Sequence, residues 1–103
     1  MDNASYKREV KGILRDMIHG NRAAVKAAEL ALFFNELDPE QLKKINYSMK
    51  EASNYIKKIR EQKLEMCSVL TEKQREIVEE SLYDMNRGLV LVVKKIYPEA
   101  LQN

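Results

Sequence analysis

Few side chains in this 103-residue sequence could carry proton, phosphoryl or metal chemistry: there is one histidine, His19, and one cysteine, Cys67. Imidazole is the side chain suited to taking and returning a proton or a phosphoryl group near neutral pH. Counted in helical steps, Arg15, Asp16, Arg22 and Ala23 lie one turn from His19, and none falls on the apolar seam expected of that segment. The imidazole is therefore expected to face water between arginines, with Gly20 and Ala23 leaving a partner room to approach. That makes His19 the candidate phosphoacceptor. Cys67 ends an apolar helical face and reads as a packed, inert thiol. A lone cysteine makes neither an intrachain disulfide nor a multi-thiolate metal centre. No nucleophile, base and orienting group converge by spacing, so the sequence reads as non-enzymatic, with no metal site and no cofactor.

Charge offers a second kind of chemistry. Lys43, Tyr47, Lys50, Asn54 and Lys57 follow one flank of the middle segment, joined nearby by Lys58, Arg60 and Lys63. Several phosphate contacts from such a flank would give salt-dependent binding to nucleic acid. Glu51, Glu61 and Glu65 share the segment, however, and allow ordinary intrahelical pairing. Glu72, Glu76, Glu79, Glu80 and Asp84 gather in the last segment, where carboxylates near a helix N-terminus meet the positive end of the macrodipole. Eighteen Lys+Arg against sixteen Asp+Glu leave a formal charge of +2, far from the concentrated field typical of nucleic-acid binders. Three glycines are too few for a glycine-rich phosphate loop.

The elements that must position these groups are helices. In Leu37-Asp38-Pro39-Glu40-Gln41-Leu42, Asp38 can cap, Pro39 suits the first helical position and Gln41 completes a capping box, with Leu37 and Leu42 placed as a hydrophobic staple. Thr71-Glu72-Lys73-Gln74 is a second capping box. These two starts predict helices over about 4–35, 39–68 and 72–97, with Pro98 stopping the last. Short links between long helices force each to run antiparallel to its predecessor. The middle segment repeats apolar residues at alternating spacings of three and four from Leu42 through Ile45, Met49, Ala52, Ile56 and Ile59 to Leu70, interrupted by Lys63. The last gives Val78, Leu82, Met85, Leu89, Val92 and Ile96. In the first, Val10, Leu14, Met17, Asn21, Ala24, Ala28 and Leu32 form the expected seam, widened by Ile13, Ile18 and Val25, while its alanines would admit a close neighbour. The expected fold is all-α, one antiparallel up-down-up three-helix bundle over 1–103.

Leu89-Val90-Leu91-Val92-Val93 is apolar all round a helix, and one neighbouring face cannot cover it. The expectation is a homodimer that pairs through the third helix into a larger bundle, with Leu89, Leu91 and Val93 as the interface. The competing reading makes 89–97 a β-prone strand. The function that follows is a regulatory or adaptor module presenting helical surfaces to another protein. Nucleic-acid binding through Lys43, Lys50, Lys57, Lys58 and Lys63 is an alternative. The N-terminal residues lack the apolar core of a signal peptide, and no segment has the ~20 apolar residues of a membrane span, so a cytoplasmic location is expected.

Two resemblances attach to particular residues. From His19 to Met66 the chain weakly resembles the helical hairpin of sensor-kinase dimerisation and histidine-phosphotransfer domains, with Arg22 three residues after the histidine. That resemblance implies phosphotransfer through His19, although Gly20 stands where kinases carry an acidic residue and the Lys-Gly pair of phosphotransfer domains reads Arg22-Ala23. Leu70-Thr71-Glu72-Lys73-Gln74 is similar to the Leu-Thr-x-x-Gln motif of small periplasmic stress chaperones, a motif whose chemistry is a helix cap.

Overall fold

The computed structural model describes residues 3–33, 38–66 and 68–98. Three helices account for nearly all of them: α1 (Asn3–Phe33), α2 (Pro39–Glu65) and α3 (Glu72–Ile96). The chain is an all-α, up-down-up three-helix bundle. Residues 89–96 continue α3, so the strand reading of 89–97 gives way to helix, and no strand occurs among the described residues. Leu37 of the expected staple and Cys67 lie outside the described residues.

Both helix starts form as their sequences dictate. The Asp38 carboxylate accepts from the Gln41 backbone N–H at 2.8 Å, and the Gln41 side-chain oxygen accepts from the Asp38 N–H at 3.1 Å. Thr71 and Gln74 exchange the same reciprocal pair at 3.1 and 2.9 Å. Each box satisfies two backbone donors that the first turn would otherwise leave to water. Thr71→Ala is expected to cost about 1 kcal/mol, read as a lower urea midpoint at unchanged slope. At its other end α2 stops three residues short of expectation. Met66 caps it, and the Val69 and Leu70 N–H groups both donate to the Met66 carbonyl at 2.9 Å. That tight turn carries the Met66 and Leu70 side chains into the core, continuing the α2 seam past the end of its helix.

α1 lies between its partners, touching each far more extensively than α2 and α3 touch one another. α3 meets α2 through the Lys63–Glu79 ion pair, a 3.2 Å hydrogen bond from the Tyr97 hydroxyl to Asn46 Oδ1, and the core cluster that Ile56 and Ile59 share with Val78, Leu82 and Met85. The α2 and α3 seams are buried largely as their periodicity requires: Ile45, Ala52, Ile56 and Ile59 on one, Val78, Leu82, Met85 and Val92 on the other.

The α1 seam is the correction. Ile13, Met17, Ala23, Ala24, Ala27 and Ala31 are buried, whereas Leu14 and Leu32, expected inside, are 45% and 62% exposed. Small side chains win the interior because they let three backbones converge, which larger ones at those positions would prevent. At Gly20 a Cβ would come within 2.6 Å of Met85 Sδ and 2.9 Å of Tyr55 Cβ, and at Gly88 within 3.4 Å of Ala24 Cβ.

Candidate functional site

Burying the alanine face of α1 together with Ile13 and Met17 leaves Leu14, Ile18, Val25 and Leu32 outside. Leu14, Ile18, Asn21, Val25, Ala28 and Leu32 follow one another at spacings of four and three, an unbroken heptad stripe on one side of the helix. Ile18 and Val25 are 54% and 53% exposed, comparable with Leu14 and Leu32. Beside this stripe runs a second one on α3, Ile77, Ser81, Asp84, Gly88 and Leu91, again at spacings of four and three. The two helices are parallel and in close contact, with Asn21 Nδ2 donating to Ser81 Oγ at 2.9 Å and to the Met17 carbonyl at 2.9 Å. Between them is an open groove of 430 Å³, floored by Ala24, Ala28 and Gly88 and walled by Val25, Leu32 and Leu91. Arg22 and Arg87 edge this face, and Asp84 stands within it.

The three expected interface residues divide. Leu91 lines the outer groove and is 46% exposed. Leu89 is partly buried, packed against the larger core cluster, and Val93 is half-buried. The all-round apolarity of this segment is met by three environments: Val92 inside, Leu89 and Val93 at the margin, Val90 and Leu91 towards solvent.

His19 is exposed, as expected, but its neighbourhood differs from the expected one. Its ring stacks on Tyr55 with centroids 5.8 Å apart and an interplanar angle of 27°. Asp16, expected beside it on the wet face, is 5% exposed; Gln62 Nε2 donates to its Oδ2 at 2.9 Å and Lys58 Nζ approaches its Oδ1 at 3.5 Å. Gly20 and Ala23 are buried as well, so they hold helices together and leave no clearing for a partner. The reason is geometric: residues one turn from an exposed position include both its neighbours on the wet face and those at the edge of the packed one.

The basic flank is dispersed. Lys50 and Lys57 point into solvent, Lys58 is drawn to Asp16, and Lys63 pairs with Glu79 across to α3. Lys43 instead joins Lys26 and Lys44 along an open cleft of 890 Å³ between α1 and α2, beside Tyr47. The Glu51 carboxylate, through a hydrogen bond and its charge, holds the Tyr47 phenol above its ordinary pKa. No group of three or more metal-ligating side chains occurs among the described residues, and no helix is long and apolar enough to cross a membrane.

No family model matches the chain, and no curated protein or solved structure matches it either. The outer α1/α3 face is thus read from its own chemistry. Composition alone hid it, because Leu14, Ile18, Val25 and Leu32 look like ordinary core. The signal that could have found it is their regular spacing on a helix whose alanines form a second, separate stripe.

Proposed function

We propose that this chain is a non-enzymatic protein-interaction module that associates, first of all with itself, through the outer face of α1 and α3. One observation carries the reading: α1 has two apolar faces, the bundle consumes the one that carries Ile13, Met17 and the alanines, and Leu14, Ile18, Val25 and Leu32 remain about half exposed on the other. Covering each half-exposed side chain gains on the order of 1 kcal/mol, and a symmetric partner brings the same set again. Such a surplus is needed, since association first costs roughly 4–15 kcal/mol in lost translational and rotational freedom. The groove accepts side chains from an opposing helix in the manner of knobs into holes. A cytoplasmic setting fits the single cysteine.

Val25→Glu and Leu91→Glu test the reading. Both positions are about half exposed, so the monomer should fold with unchanged helical circular dichroism. Sedimentation equilibrium is expected to show a dimeric wild type and monomeric variants. A wild-type chain that stays monomeric at hundreds of micromolar would overturn self-association.

A further inference from the structure

We infer that the second copy lies antiparallel across this face, related by a two-fold axis perpendicular to the helices at the level of Ala23 on α1 and of Asn86 and Arg87 on α3, so that α1 packs on α1 and α3 on α3. The inference rests on the proposed self-association and adds its geometry. Its ground is the charge along the edges of this face, and the two stripes, whose alternating spacings read alike in either direction, permit the arrangement at nearly one level. On α1, Leu14 and Leu32, Ile18 and Ala28, and Asn21 and Val25 are equidistant from Ala23. On α3, with the stripe continued one step to Lys95, Ile77 and Lys95, Ser81 and Leu91, and Asp84 and Gly88 are equidistant from Asn86. The two centres lie within about two residues of one level, because Ala24 abuts Gly88 and Gly20 abuts Met85.

Charge along the two outer edges is arranged about almost the same level, with opposite signs at the two ends of each edge. The edge of α1 carries Arg15, Arg22 and Glu29, and that of α3 carries Glu80, Arg87 and Lys94, each set one heptad apart. An antiparallel copy sets Arg15 of each chain opposite Glu29 of the other and Glu80 opposite Lys94, each pair formed twice. The arginines at the centre would meet their own copies. Asp84 lies within a turn of that level on both chains and supplies the opposite charge to Arg87 across the axis. The product is a four-helix core made of two α1/α3 pairs, with α2 on the outside of each half.

Nitroxide labels at Arg8 and Lys26, each in a Cys67→Ser background, separate the arrangements. Both positions are exposed on the side of α1 away from the groove. At 1.5 Å per residue, the antiparallel dimer sets the Arg8 labels about 45 Å apart along the axis and the Lys26 labels about 9 Å apart. Pulsed dipolar spectroscopy should therefore give a long distance for the first and a short one for the second. A parallel dimer would give similar distances for both and overturn the arrangement while leaving self-association intact. A monomer by mass would instead remove the reading beneath it. Charge reversal supplies a second measurement. Arg15→Glu is expected to raise the dimer Kd by about tenfold, and Glu29→Arg in the same chain to restore it. Rescue by Glu80→Arg and not by Glu29→Arg would mean that α1 faces α3 of the other copy, and would reject the inference.

Discussion

Truncating Ile59 to alanine is expected to cost about 2–5 kcal/mol, the range for deleting a large aliphatic side chain from a packed interior. Ile59 is wholly buried, in the cluster that also contains Ile13, Met17, Ile56, Val78 and Leu82. It sits on the middle of the α2 seam, at a level where all three helices contribute side chains, so no single rigid-body shift closes the space left behind. Against a total stability of about 5–15 kcal/mol for a domain of this size, that loss is a large fraction. Urea denaturation followed by circular dichroism should show the midpoint falling sharply while the slope stays near the wild-type value. Ile18→Ala, at an exposed position on α1, should move the monomer's midpoint by less than about 0.5 kcal/mol equivalent. The contrast separates core from docking face on the basis of stability alone.

Gly20→Leu is expected to be of comparable severity for the opposite reason. Even the first added carbon would lie 2.6 Å from Met85 Sδ and 2.9 Å from Tyr55 Cβ. The methionine end is flexible and can retreat. Tyr55 Cβ is attached directly to the α2 backbone, so α2 itself must withdraw from α1. Overpacking of this kind costs about 1–3 kcal/mol or more, and a leucine adds three further carbons to the one that already collides. Gly88→Ala provides the internal control, since its new methyl would meet Ala24 Cβ at 3.4 Å, an ordinary contact. Replacing a mid-helix glycine by alanine gains about 1 kcal/mol in helix propensity, so Gly88→Ala should be neutral or mildly stabilising. Thermal unfolding of the two variants should therefore move in opposite directions. Equal destabilisation of both would show that Gly20 is not the closer contact.

Much of the fold was legible in the sequence because its punctuation is strong. The Asp38 and Thr71 boxes each combine a side-chain acceptor with a glutamine three residues on, and that chemistry is local, so tertiary packing had nothing to override. The α2 and α3 seams were legible because each sets its large apolar residues on the buried face at regular spacings of three and four. α1 was not, because it has two apolar faces, and hydrophobicity ranks leucine above alanine although the interior here selects for closeness of approach. The same ambiguity hid the candidate docking face, whose residues had been assigned to the core. Leu91 alone among the three expected interface residues lies in the groove, since rotation about α3 could not be fixed until its contact with α1 was known. Asp16 was illegible for another reason. A carboxylate is ordinarily read as solvated, and its burial depends on Lys58 and Gln62, forty-odd positions away, reaching it from α2. Lys58 and Lys63 of the basic flank were likewise claimed by carboxylates on other helices, which no count of charges along α2 reveals.

The alanine stripe of α1 has an effect that reaches through the helix. By setting how near α3 may come, Ala27 and Ala31, buried in one cluster with Val92, also set the separation of the two ridges on the outer surface. A larger side chain at either position would thus splay the visible ridges, and recognition there would be altered by residues that no binding partner ever touches.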